Sequence, residues 1–194
     1  EGKSATIESI NIIGNELFSN EDLLDGFELS SGSFFSFLSN DNAYSREKLK
    51  GDIESLESFY LNRGYLKFSI ESSEISLSKD KKSIFINFNI FEGEQYTIND
   101  VEVVGDLPFG DEVYEEITNT LKDQIYSQAQ ITSIEEFFTN VLGNQGYAFA
   151  EVSGNPVVDD DSQDVKITFS VVPGKRTYTR KILFAGNNLT QDYV

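Results

Sequence analysis

Short runs in which apolar and polar residues alternate are interleaved along this chain with stretches whose apolar residues recur every three or four positions, and the two rhythms follow one another twice in the same order. Ile84, Ile86, Phe88 and Ile90 share one parity, as do Val165, Ile167, Phe169 and Val171, the pattern of a half-buried strand. A second strand-like run precedes each. In the first, Phe68 and Ile70 have one parity and Ile75 and Leu77 the other, so the buried face must switch near Ser72-Ser73, as a β-bulge allows. The turn Ser78-Lys79-Asp80-Lys81 joins that pair as a hairpin. Residues 149–158 and the acidic turn Asp159-Asp160-Asp161-Ser162 play the same parts in the second.

Between the strands lie the helices. Ser19-Asn20-Glu21-Asp22 has the form of a capping box, and Leu23, Leu24 and Phe27 give a short helix its apolar side. Ser45 is placed to cap a longer helix, on which Leu49, Ile53, Leu56 and Tyr60 share a face. It stops at Asn62-Arg63-Gly64-Tyr65, with Gly64 as the left-handed C-terminal residue. Val113, Ile117 and Leu121 mark the next helix, and Thr132-Ser133-Ile134-Glu135 reads as a capping box leading into Phe138, Val141 and Leu142. Asn144-Gln145-Gly146-Tyr147 then repeats the stop, so Tyr65 and Tyr147 read as core anchors.

The repetition extends to whole phrases. Ile10-Asn11-Ile12-Ile13-Gly14-Asn15 returns as Val101-Glu102-Val103-Val104-Gly105-Asp106 and again as Ile182-Leu183-Phe184-Ala185-Gly186-Asn187, with glycine spacings of 91 and 81 residues. Each is a strand entering a turn that needs φ > 0. The order within a unit is strand, helix, helix, strand, strand, and the boundaries fall at 1–94, 95–175 and 176–194, the last being the opening strand of a truncated unit. Glu92-Gly93-Glu94 and Val172-Pro173-Gly174-Lys175 form the junctions without a Ser/Gly linker, which limits the angles between units.

Composition narrows the function classes. Sixteen Phe and nine Tyr in 194 residues can fill real cores. With 33 acidic against 15 basic residues and a net charge of -18, the chain would repel a polyphosphate backbone, which argues against nucleic acid as a partner. The absence of cysteine removes disulfides and thiolate nucleophiles, and the absence of histidine removes His-based triads and His-ligated metal sites. No P-loop, G-x-S-x-G or G-x-G-x-x-G motif occurs, so no catalytic residues, metal or cofactor are expected. Asp159, Asp160, Asp161 and Asp164 lack the loop pattern that ends in a bidentate Glu, and read as a solvated turn. No run approaches the length of a membrane span, and the chain reads as a piece of something longer.

Gly51-Asp52-Ile53-Glu54-Ser55-Leu56-Glu57-Ser58-Phe59-Tyr60-Leu61-Asn62-Arg63-Gly64-Tyr65 and Ile90-Phe91-Glu92-Gly93-Glu94-Gln95-Tyr96 resemble the third POTRA module of the bacterial BamA family and its junction with the fourth. Gly143-Asn144-Gln145-Gly146-Tyr147-Ala148 and Tyr178-Thr179-Arg180-Lys181-Ile182 resemble the fourth module and the opening strand of the fifth. The resemblance implies an α+β fold of tandem POTRA modules, each β-α-α-β-β with a three-stranded mixed sheet covered by two helices. It also implies a periplasmic arm at the outer membrane, preceding a membrane barrel that is absent here. The implied partners are unfolded outer-membrane β-barrel proteins, assembly-complex lipoproteins and other POTRA modules of the same chain. A rigid spacer, or the POTRA arm of a two-partner secretion or autotransporter-assembly protein, is the alternative.

If the regular runs 84–90 and 165–171 are central, the strand before each is an edge, and an edge can pair with an extended client by β-augmentation. Pro156 removes a donor from the second edge. The first has no proline, so Phe68, Ser69, Ile70, Glu71 and Ser72 are the expected partner-binding strand. On the opposing reading Lys67, Glu71 and Glu74 are charges that discourage pairing. Phe34, Phe35 and Phe37, with Leu38, form an apolar loop that is either a partner patch or folded onto its own core.

Overall fold

The computed structural model describes residues 6–29, 42–105 and 110–176. The first module comprises β1 (Thr6–Ile13), α1 (Asn20–Leu24), α2 (Asn42–Leu61), β2 (Ser69–Leu77) and β3 (Ser83–Phe91). The second repeats the order as β4 (Thr97–Gly105), α3 (Asp111–Leu121), α4 (Gln128–Asn144), β5 (Glu151–Asp159) and β6 (Asp164–Val172). Each module carries a three-stranded sheet, in the orders β1-β3-β2 and β4-β6-β5. The last strand is central in both, parallel to the first and antiparallel to the second.

That central place explains the regular alternation. A strand hydrogen-bonded on both sides cannot turn its apolar face elsewhere, and Ile86, Phe88 and Ile90 are buried, as are Val165, Ile167, Phe169 and Val171. Residues of the helices and of the segments beside them complete the cores: Leu56, Tyr60, Leu23 and Phe27 in the first module, and Leu121, Tyr126, Ile131, Phe138 and Leu142 in the second. Phe27 meets Phe88 edge-on at 6.3 Å, and Phe138 meets Phe169 at 6.1 Å. Each such side chain contributes about 2 kcal/mol by leaving water.

The expected switch of face in β2 is present, one residue earlier than read. The register jumps between Ile70 and Ser72, so Ile70 opposite Ile90 and Ile75 opposite Ile86 both lie on the helix side. Gly14 and Gly105, at the ends of β1 and β4, have φ 96° and 124°, values that glycine adopts without a Cβ penalty.

Helix starts were less legible. The Ser19 box forms: Ser19 Oγ accepts from the Asp22 N–H at 3.2 Å and the Asp22 carboxylate accepts from the Ser19 N–H at 3.3 Å. In contrast, α2 begins at Asn42, so Ser45 is inside the helix. Likewise α4 is capped by Ser127, whose side chain accepts from the Gln130 N–H. Helix-favouring Gln128-Ala129-Gln130 carries α4 back to that cap, which places Thr132 to Glu135 inside the helix. Ser133 Oγ donates instead to the Ala129 carbonyl at 2.8 Å. Phe34, Phe35, Phe37 and Leu38, and the third repeat of the strand phrase, lie outside the described residues.

Candidate strand-receiving edge and module junction

Strand β2 is an edge along its whole length. Its hairpin end sets which backbone groups face outward. The Ser78 N–H donates to the Ser83 carbonyl at 2.8 Å, and N–H groups alternate sides along a strand. Ser76, Glu74 and Ser72 therefore bond to β3, and Ser73, Ile75 and Leu77 point their N–H and C=O groups away from the sheet. Among the described residues no group bonds to this outward row. The side chains flanking it are two-faced. On the helix side Ile75 is 60% exposed and Leu77 51% exposed, while Ser72, Glu74 and Ser76 line the opposite face.

The sequence-expected binding residues sit at the start of this strand. Phe68 precedes β2 and stacks on Tyr60 at 4.2 Å, so its ring anchors the strand to the core. Ser69 and Ile70 pair with Phe91 and Ile90, Glu71 is the bulged residue, and Ser72 resumes the ladder opposite Asn89. Ser72 Oγ also accepts from the Asn89 side-chain amide at 2.6 Å.

Two buried carboxylates frame the first module, and neither stood out from pattern. Glu92, at the end of β3, accepts from the Glu16 N–H at 2.8 Å, the Leu17 N–H at 3.1 Å and the Tyr60 hydroxyl at 2.6 Å. It ties the β1–α1 turn to α2, and burial followed by this bond pushes the Tyr60 hydroxyl well above its ordinary pKa. Asp52 on α2 accepts from the Glu28 and Leu29 N–H groups at 2.7 and 3.2 Å. Desolvation raises its pKa, and those two bonds oppose the rise. Tyr65 is a core residue as expected, but Tyr147 is half-buried and lies under the Arg176 guanidinium at 5.9 Å.

The modules are locked at a junction whose parts come from both. The Tyr96 N–H donates to the Gly64 carbonyl at 2.9 Å, and the Gln95 side-chain amide to the Arg63 carbonyl at 2.8 Å. Asn62 Oδ1, just past α2, accepts from the Ala129 N–H at 2.8 Å, so one module caps a helix of the next. Leu66 packs against the second core. Asp160, from the acidic turn that read as solvated, accepts from Lys67 Nζ at 2.5 Å and from the Tyr96 hydroxyl at 2.7 Å. Those bonds hold its pKa below, and that of Lys67 above, their ordinary values. The distal end of the second module begins the same pattern, with Arg176 Nε donating to the Gln145 carbonyl at 2.8 Å.

Tandem β-α-α-β-β modules joined through a helix stop and a following strand define the POTRA class. A family model described as "POTRA: Surface antigen variable number repeat" matches residues 5–93 and 96–174, and the chain belongs to this family. Within it, the chain is similar to outer membrane protein assembly factor BamA of Neisseria meningitidis serogroup B, with 30% identity over 195 residues covering 100% of this chain and 24% of that protein. It is also 30% identical over 194 residues to BamA of Buchnera aphidicola, covering 100% of this chain and 31% of that protein. The chain thus spans 24% and 31% of the length of these relatives. The crystal structure of Haemophilus influenzae BamA POTRA3-5 matches with a TM-score of 0.75 and 26% identity, over 96% of this chain and 73% of that one.

Proposed function

We propose that this chain is part of the periplasmic arm of an outer-membrane protein assembly factor, and that β2 receives extended segments of unfolded β-barrel clients by β-augmentation. The observation that carries this reading is the unbonded outward row of Ser73, Ile75 and Leu77. Ser69, Ile70, Glu71 and Ser72 form the first half of the landing strand, with Phe68 anchoring its start to the core and the bulge at Glu71 as a break in its register. An added strand would lay one set of side chains beside Ile75 and Leu77 and the other beside Ser72, Glu74 and Ser76. That alternation suits barrel strands, whose residues are apolar on the lipid side and polar on the lumen side. The relatives named as outer membrane protein assembly factors support the place of this chain in such an arm, and the receiving role of β2 rests on the edge itself. Lipoproteins of the assembly complex and neighbouring POTRA modules are the further partners we propose, with modules meeting at 94/95 and 175/176.

A second reading, a rigid spacer, is favoured by the junction, where bonds from Asn62, Gly64 and Asp160 fix one module against the next. Amide chemical-shift mapping separates the two. The probe is a peptide of about ten residues alternating valine and threonine, the length of a membrane-spanning strand. Binding should shift amides from Lys67 to Leu77. Ile75→Pro deletes one outward donor without touching the β2–β3 ladder, and should weaken binding about fivefold. Shifts that ignore this substitution, or that fall elsewhere, would leave the spacer.

A further inference from the structure

We propose that the second module's corresponding edge, β5, is closed to added strands, and that Glu135 on α4 closes it together with Pro156. The Gly154 N–H donates to Glu135 Oε1 at 2.5 Å. Pro156 lies two residues further along the strand, opposite Ile167, and has no N–H at all. Because N–H groups alternate sides, both positions belong to the same outward row. Two successive donors that an incoming strand would need are thus missing, one occupied and one deleted.

The helix reaches the edge because Gly154 has no side chain. A Cβ there would stand 2.5 Å from Ile131 Cγ2 and 2.9 Å from Phe169 Cε1. Strand and helix therefore approach closely enough for a carboxylate from α4 to wrap around the sheet margin. Nothing at Glu135 marks this in the sequence, where it reads as the end of a capping box.

The first module has the same fold with the opposite edge. Gly154 faces Phe169 as Ser73 faces Phe88, and Pro156 faces Ile167 as Ile75 faces Ile86. Ser73 and Ile75 keep their N–H groups. Counting back from the shared helix stop, Asn62-x-Gly64 against Asn144-x-Gly146, puts Ile53 where Glu135 stands. Ile53 packs against the first core and has no acceptor to offer. A client strand arriving at the pair would then find β2 open and β5 blunted, which confines capture to one module.

This selectivity rests on the reading of β2 as the receiver, whereas the closure of β5 stands on its own geometry, and the test keeps them apart. The full 194-residue chain, its Glu135→Ala variant and the Glu135→Ala/Pro156→Val double variant would be titrated with the same valine-threonine peptide. Amide exchange at Gly154 would be followed without peptide. In the unaltered chain β2 amides should shift while residues 152–158 stay still; in the double variant those residues should shift too. Gly154 exchange should quicken about tenfold in Glu135→Ala. Shifts in β5 of the unaltered chain, a silent β5 in the double variant while β2 responds, or unchanged Gly154 exchange would each overturn the proposal. A silent β2 with a responsive β5 in the double variant would sink the receiver reading and keep the closure. If both strands stay silent, the receiver reading falls and Gly154 exchange alone decides the closure.

Discussion

A carboxylate inside a small module is costly unless its oxygens are occupied, and Glu92 satisfies that condition with two backbone N–H groups and the Tyr60 hydroxyl. Glu92→Gln turns one acceptor oxygen into a donor that faces other donors. The expected cost is about 2 kcal/mol, read as a lower urea midpoint at unchanged slope. In the sequence Glu92 stood in a junction phrase between modules. Its partners lie 76 and 32 positions earlier in the chain, in its own module, and no local pattern announces such a pairing. Asp160 reversed the surprise: a turn aspartate with every appearance of solvation serves the neighbouring module.

At the scale of elements, Asp52 couples α2 to the segment that follows α1. Its pKa is raised in the folded chain above the value of 3.8, so in the window between the two values the folded state binds the proton more readily. Stability should therefore fall as pH rises through that window and level off above it. Asp52→Asn should flatten this component of the slope, seen by comparing urea midpoints of the two proteins across the acid range. The elements themselves were largely legible. Strand order followed from alternation, since a central strand must alternate regularly and an edge strand need not: β2 tolerates a bulge that β3 does not share. Helix starts depart from the expectation: Ser45 lies inside α2, which begins at Asn42, and the Thr132 capping-box pattern lies inside α4, because Ser127 upstream already caps that helix.

Across the whole molecule the junction is the feature that makes two modules one arm segment. Asn62→Ala removes the acceptor that the first module offers to the Ala129 N–H in the first turn of α4, and Asp160→Asn removes the charge that Lys67 and Tyr96 share. Both substitutions together should broaden the distribution of inter-module angles, measured by residual dipolar couplings. The ion pair also has a pH window. Asp160, held below 3.8, contributes while ionised and loses that contribution as pH falls through its lowered pKa. Lys67, held above 10.5, contributes until pH rises through its raised value. Docking should thus be constant near neutrality and loosen toward acid.

What could be read from the linear chain was much of what depends on near neighbours: the two rhythms, the central strands, the bulge, the helix stops, the repeat, and the phrases that resemble POTRA modules, though not the helix starts at Asn42 and Ser127. Side-chain periodicity follows directly from backbone geometry, so it survives without coordinates. What needed the folded chain was every assignment in which residues distant in sequence share one small volume. Glu92 beneath the β1–α1 turn, Asn62 capping α4, Asp160 at the junction and Glu135 on the margin of β5 all act through partners that only packing brings within 3 Å. A hydrogen bond acts over that distance, and sequence separation does not encode it.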